Sequence, residues 1–321
     1  MVEPPESTRS ATCLPVDASE VGVRLDAFLA RRKLVASAGA ARRAVAAGIV
    51  RVSGRVARKG VHLRLGDTVD LNGEPGAGAV LVPAPELELA VLYQDSDLVA
   101  VDKPAGIASH PLRPGDKATL AAALIARFPE CAAASPDPRE GGLGHRLDVA
   151  TSGVLLAARS REAWHRLRDA LAAPYCEKIY LAEIRGRLPF AERVLDGFVV
   201  PGPRPSSLVV TVPIGRQGRR GGKVKLAGGR QPLAARTEVT LIEAREDSTL
   251  VEARLARGRA HQVRAHLAYL GTPVKGDPVY GEPDGETALR LHAWTVSFVH
   301  PISGKALRIE APPPGWAVRT M

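Results

Sequence analysis

Cysteine is scarce: the 321 residues hold three, Cys13, Cys131 and Cys176, far apart and odd in number. That excludes a disulfide framework and a Cys-x-x-Cys metal knuckle, and leaves inert thiols as the reading. Long apolar runs are missing too, since no stretch approaches the ~18 uninterrupted residues a membrane span requires. The first residues, with Glu3, Pro4, Pro5 and Glu6 before Arg9, lack the basic-then-apolar order of a secretory signal, so a cytoplasmic protein with no membrane partner is expected. Aromatics are low at 4%, but hydrophobic residues at 45% and charged ones at 24% are ordinary for a soluble globular chain. Disorder, collagen and coiled coil are thereby excluded for the whole chain, and no repeat of solenoid period is present.

What is there in excess is positive charge, +10 in all, and it is unevenly spread. Residues 20–72 carry a net +7 and residues 203–237 a net +8 with no acid at all, while the remainder is slightly negative. Two basic islands on a nearly neutral body point to a polyanionic partner, because phosphate backbones are held mainly by Lys and Arg.

The pattern of apolar residues divides the chain. Residues 1–19 lack periodicity and read as a flexible tail. Val23, Leu25, Phe28 and Leu29 recur at helical spacing, a second Ala-rich helix runs from Ala40 to Ala47 and stops at Gly48, and Val50–Val56 with Thr68–Leu71 read as strands. A small α+β domain over 20–72 follows, then a Gly/Pro/Ala-rich linker over 73–85. In 86–321, strands are predicted near 89–93, 98–101, 154–158, 179–185, 237–242, 250–255, 291–299 and 306–310, with helices over 120–128, 161–172 and 262–270. Strands dominate without a regular strand–helix–strand beat, so the class is α+β with a mixed, largely antiparallel central sheet.

Three clusters could carry chemistry. In Gly144-His145-Arg146-Leu147-Asp148-Val149-Ala150-Thr151-Ser152-Gly153, a carboxylate two residues from a guanidinium sits in a tight polar loop before an apolar strand. Such an Asp can serve as nucleophile or base if a cation holds it ionised, though an ordinary loop ion pair has the same local pattern. Arg257–Leu267 opens a helix with several cations and a Gly, a setting that can hold an anion. His261 and His266 there are five apart, which does not fit the i, i+4 metal-binding helix, and Arg264 shares a face with His261. In Tyr175–Leu181, Lys178 and Tyr180 fall on one strand face, where Tyr180 offers a ring for base stacking or simply a packed core side chain. The run Gly215–Gly229 reads as a mobile basic loop, and Asp102–Gly106 and His110-Pro111 as turns.

Taken in order, Asp102-Lys103-Pro104-Ala105-Gly106, His110-Pro111, His145-Arg146-Leu147-Asp148 with Thr151-Ser152-Gly153, Glu177-Lys178-x-Tyr180, Pro213-Ile214-Gly215-Arg216, Gly258-Arg259-x-His261-Gln262-x-Arg264-x-His266-Leu267, Gly276-Asp277-x-x-Tyr280-Gly281 and Leu291-His292-Ala293-Trp294 resemble the RluA-type pseudouridine synthases. Residues 20–72, with Arg24-Leu25-Asp26-x-Phe28-Leu29, Gly48-Ile49-Val50-x-Val52-x-Gly54 and Gly66-Asp67, are similar to the small S-four RNA-binding domain of a ribosomal protein, though Ala38 stands where an arginine is usual.

The resemblance implies isomerisation of uridine to pseudouridine in structured RNA, without cofactor or metal, by a protein expected to be a monomer. Asp148 matches the essential aspartate, Tyr180 the tyrosine that stacks on the uracil, Arg264 the basic partner of the aspartate and Arg146 the arginine that fills the gap left by the flipped nucleotide. Arg259, Arg42, Arg43, Arg219, Arg220, Lys223 and Lys225 are the expected RNA-backbone contacts, and His145, His292 and Trp294 are scaffold. Ribosomal RNA is the favoured substrate and transfer RNA the other. A non-catalytic RNA-binding or ribosome-assembly factor that keeps the fold is the alternative, while a glycosidase lacks a second carboxylate motif.

Overall fold

The computed structural model describes residues 12–35, 38–46, 48–72, 81–111, 116, 118–190, 197–216, 223–282 and 288–318. It divides into two compact units at Val80/Leu81.

The first unit contains β1 (Thr12–Pro15), α1 (Leu25–Arg31), α2 (Ala38–Ala46), β2 (Val50–Val52), β3 (Arg55–Val56) and β4 (Thr68–Leu71). The strands form an antiparallel sheet in the order β1-β4-β2-β3. Leu25, Phe28 and Leu29 of α1 and Ala41, Ala44 and Val45 of α2 bury one stripe each against Val50, Leu63 and Val69. The β2–β3 turn places Ser53 and Gly54 both at positive φ, the backbone that matches strand twist in a two-residue hairpin. One sequence expectation is corrected here. The segment 12–15 is not tail but an edge strand, paired through Thr12–Pro15 with Leu71–Thr68 and followed by buried Val16. Four residues are too few to show a period-2 signal, and the partner strand lies more than fifty residues away.

The second unit contains β5 (Ala90–Gln94), β6 (Leu98–Lys103), α3 (Leu120–Arg127), α4 (Cys131–Ala134), β7 (Ser152–Ala158), α5 (Arg161–Ala172), β8 (Glu177–Arg185), β9 (Val199–Pro201), β10 (Ser207–Val210), β11 (Ile214–Arg216), β12 (Lys225–Leu226), β13 (Arg230–Leu233), β14 (Thr237–Ala244), β15 (Ser248–Leu255), α6 (Gln262–Tyr269), β16 (Leu291–Val299) and β17 (Ala306–Glu310). Ten strands form one sheet in the order β5-β6-β7-β16-β8-β15-β14-β10-β9, with β17 also on β16. Every pair is antiparallel except β7–β16. The central strands β7 and β8 are buried along most of their length, as strands covered on both faces must be. Helix α5 starts at Ser160, whose Oγ accepts from the Ala163 N–H, and buries Ala163, Trp164, Leu167, Ala170 and Leu171 at helical spacing. Full burial of Leu167 in that cluster stabilises the fold by roughly 2–3 kcal/mol.

At Gly153 a missing side chain decides how two central strands meet. It has φ +109, and a Cβ there would lie 2.1 Å from the Ala293 carbonyl oxygen. Only glycine lets β7 approach β16 so closely, one turn after Asp148.

A second correction concerns Gly215–Gly229. Residues 214–216, 225–226 and 230–233 form a small antiparallel sheet, β12-β11-β13, where the sequence suggested a loop. The strands are two to four residues long and broken by glycines, so no periodicity marks them. Residues 217–222 lie outside the described residues.

Candidate active site

Asp148 sits in the loop before β7, and its backbone is held from several directions. Leu147 is clamped by Ser109, whose Oγ donates to the Leu147 carbonyl at 2.8 Å and accepts from its N–H at 3.2 Å. The Val149 carbonyl accepts from the Gly106 N–H at 2.8 Å. Lys103, fully buried at the end of β6, donates to the carbonyls of Pro104 (2.9 Å), Val149 (3.0 Å) and Thr151 (2.8 Å). Burial pushes the Lys103 ammonium down to about 8, against the opposing pull of Asp148 and Asp102. The turn Asp102–Gly106, which the sequence leaves as a structural default, is thus the cradle of the Asp148 loop.

The Asp148 carboxylate is itself fixed by α6. Arg264 Nη1 donates to Asp148 Oδ2 at 2.7 Å, and the same guanidinium forks onto Asp277 through Nε (2.8 Å) and Nη2 (2.7 Å). Asp277 is completely buried, and its Oδ1 also accepts the N–H groups of Val279 (2.9 Å) and Tyr280 (3.1 Å). Burial alone would raise the Asp277 carboxyl. The Arg264 fork and the two N–H donors outweigh it and hold it below the ordinary carboxylate range. Burial lowers the Arg264 guanidinium, but its two carboxylate partners more than reverse that. His261, in the left-handed region at φ 55, places Nε2 3.7 Å from Asp148 Oδ1. The Asp148 side chain remains 30% exposed.

Tyr180 lies on β8, half-buried between the two core clusters that flank the site. Burial, reinforced by the Asp148 charge, raises its phenol above the ordinary range, so the hydroxyl keeps its proton. It makes no hydrogen bond among the described residues. Arg146 is exposed, with Nη1 3.2 Å from His110 Nε2, whose Nδ1 lies 3.0 Å from the Pro111 carbonyl.

Other expected residues are placed apart from this cluster. Lys178, on the face predicted for Tyr180, is buried and donates to the Leu171 and Ala256 carbonyls, so it is structural. His145 and His292 are pushed down by burial to about 3 and about 4. Their Nε2 and Nδ1 atoms meet the Leu156 N–H and the Ser152 hydroxyl respectively. Arg259 is half-buried with its N–H on Gln262, and Lys225 is exposed on β12. Lys223 lies with its ammonium 5.5 Å from the Tyr280 ring. Arg42 is exposed on α2, the side chain of Arg43 and all of Arg219 and Arg220 lie outside the described residues, and Arg204 of the basic island is engaged with Glu238 and Glu252 at 2.7 Å each.

A mixed sheet thus presents a fixed, partly exposed aspartate held by a buried arginine, and a separate small unit precedes it in the chain. Comparison with known proteins gives the family. The model of the RNA pseudouridylate synthases matches residues 97–269, and that of the S4 domain matches residues 23–69. The ribosomal large subunit pseudouridine synthase D of Xanthomonas campestris pv. campestris is 34% identical, over 97% of this chain and 91% of its own. An RNA pseudouridine synthase of Chloroflexus aurantiacus is also 34% identical, over 93% and 89%. Among solved structures, the human RNA pseudouridylate synthase domain containing 1 is 26% identical over 72% of this chain and 86% of its own, with TM-score 0.54. The chain belongs to the RNA pseudouridylate synthase family. It is an RNA-binding isomerase with an N-terminal S4 domain.

Sequence reasoning did not assign Asp277, His261, Tyr280 or Lys103 a role. The only signal was their place in the quoted motifs, since each acts through a partner far away in sequence.

Proposed function

We propose that this enzyme isomerises specific uridines of large-subunit ribosomal RNA, using Asp148, Tyr180 and Arg264 as its catalytic set. The observation that carries the reading is Asp148 itself, clamped through its loop backbone and through Oδ2, yet with its side chain partly exposed. Pseudouridine formation breaks the bond from C1′ to N1, rotates the uracil, joins C1′ to C5, and takes the proton from C5 while N1 gains one, leaving the atom count unchanged. A uridine inside a structured RNA must leave its stack to meet Asp148, at a cost of a few kcal/mol. Tyr180 receives the base on its ring. Arg264 orients Asp148, and exposed Arg146 occupies the space the nucleotide vacates.

The RNA backbone is assigned to Arg259, Lys223, Lys225, Arg219 and Arg220 in residues 86–321, and to Arg42 and Arg43 in residues 20–72, with 73–85 as linker. Ribosomal RNA as substrate is supported by the name of the Xanthomonas relative, which aligns with nearly the whole chain. The reading places the protein in the cytoplasm as a monomer. No described helix is long and apolar enough to cross a membrane.

The test is carbodiimide-dependent mapping of pseudouridine across ribosomal and transfer RNA from cells with and without the gene, repeated with Asp148→Ala. Loss of defined ribosomal stops, restored by wild type and not by the variant, is expected. Restoration by Asp148→Ala would overturn the catalytic assignment, and loss confined to transfer RNA would overturn the substrate.

A further inference from the structure

His261 stands in the left-handed region at φ 55 and ψ 17, a strained conformation for a non-glycine residue that persists where the surroundings demand it. It precedes α6 without capping it, since its side chain makes no cap hydrogen bond. Instead the imidazole stands between two groups. Its Nδ1 lies 3.1 Å from the Tyr280 hydroxyl, and its Nε2 lies 3.7 Å from Asp148 Oδ1, the oxygen that Arg264 leaves free. The two rings meet edge to face, at 5.7 Å and 85°.

The direction of these contacts follows from a group that can only donate. The Val224 N–H points at the Tyr280 oxygen at 2.8 Å, so that oxygen accepts there and its own proton is available to His261 Nδ1. An imidazole that accepts at Nδ1 carries its proton on Nε2, the atom facing Asp148. Val224 lies between Lys223 and Lys225, exposed cations of the small three-stranded sheet, and the Tyr280 ring is approached by the Lys223 ammonium (5.5 Å) and the Arg264 guanidinium (5.4 Å).

We propose that Val224, Tyr280 and His261 form a relay in which seating of the basic segment Lys223–Lys225 fixes the imidazole tautomer that faces Asp148 Oδ1, making His261 and Tyr280 positioning residues for the reacting carboxylate. An RNA backbone on Lys223 and Lys225 holds the segment in place, so binding at the periphery sets the geometry at the centre. The inference rests on Asp148 being the reacting group.

The charged and titratable groups facing His261 are Asp148 from the loop before β7, Arg264 from α6, and Asp277 and Tyr280 from the segment after it. Burial lowers the imidazole, Asp148 and Asp277 oppose that, and Arg264 adds to it, so the neutral ring is the form present at pH 7. Protonation at Nδ1 would turn the Tyr280 O–H away from that nitrogen and set a cation beside Asp148.

The experiment is single-turnover conversion of large-subunit ribosomal RNA, purified from cells lacking the gene, by wild type, Tyr280→Phe, His261→Gln and His261→Ala, with pH–rate profiles and melting curves. Tyr280→Phe is expected to lower the rate constant about tenfold at saturating RNA, with the half-saturating concentration unchanged within about twofold. Glutamine can accept from Tyr280 and donate to Asp148 without titrating. His261→Gln should therefore keep at least about a third of the rate and lose the acid limb expected of wild type where the imidazole takes up its proton, while His261→Ala falls about thirtyfold. Wild-type rates in Tyr280→Phe, an unchanged acid limb in His261→Gln, or rate losses that merely track losses of melting temperature would each overturn the relay. Failure of wild type itself to act on ribosomal RNA would instead count against the proposed substrate, and is read separately from the variants.

Discussion

Asp277→Asn is the substitution whose effect is most directly set by the geometry. The carboxylate is fully buried and meets the Arg264 fork with both oxygens. An amide presents an NH2 group to one of the guanidinium donors, so a buried cation loses half of its fork. Removing one partner of a buried ion pair costs about 3–5 kcal/mol. Arg264 keeps Asp148, whose side chain is partly exposed, so the lower value of about 3 kcal/mol applies. For a unit of this size each kcal/mol lowers the melting temperature by roughly 2–4 °C, which gives a fall of about 6–12 °C by thermal unfolding. The pH dependence has a defined sign. The folded Asp277 pKa is depressed, so its stabilisation is complete above the unfolded value near 4 and is lost as the pH falls through the lowered folded value. Wild type should therefore lose stability below about pH 4 more steeply than the variant. A second variant separates stability from function: Asp277→Leu with Arg264→Met replaces the pair by apolar groups and should melt within about 2 kcal/mol of wild type, yet stay inactive because Asp148 has lost its partner. An Asp277→Asn protein that melts within about 2 °C of wild type, or an active double variant, would refute the reasoning.

Two further outcomes follow from the loop and the strand beside it. Lys103 holds the Asp148 loop as an ammonium with a pKa of about 8, so turnover should decline as pH rises through that value, when the amine no longer donates to all three carbonyls. Thermal stability should move the other way. Because the unfolded lysine titrates near 10.4, the unfolded chain binds more protons between the two values and stability rises with pH there. A pH–rate profile that stays flat to pH 9.5 would count against the anchor. Gly153→Ala drives a Cβ into the Ala293 carbonyl at positive φ and should cost about 4 kcal/mol or more, read as lost soluble yield and a lowered melting temperature. Gly304→Ala, with φ +71 and nothing within 4 Å, is the control and should cost only about 1 kcal/mol.

What could be read from the sequence divides along the range over which each feature is determined. Helix α5 and strands β16 and β17 run over the residues predicted, because their apolar periodicity is carried by neighbours three, four or two positions away. Strand β1 and the β12-β11-β13 sheet escaped, since two to four residues hold too little pattern and their pairing partners are remote or interrupted by glycine. The site divides in the same way. His-Arg-Leu-Asp and the segment around Arg264 stand out as polar clusters, but nothing local says that position 264 meets position 148. The structure brings those two side chains within 2.7 Å across 116 residues. Asp277 was less legible still. Thirteen residues beyond Arg264 and after the end of α6, it looks like a turn aspartate, and its side chain does accept the turn N–H groups of Val279 and Tyr280. Only the buried guanidinium on its other side turns it into part of the site. Lys103 and Asp277, which hold the Asp148 loop and its partner Arg264, are therefore residues whose own sequence neighbourhoods look ordinary. A lysine before a proline, an aspartate in a turn and a histidine before a helix acquire their roles from burial and from partners that β6, α6 and the Asp148 loop bring together.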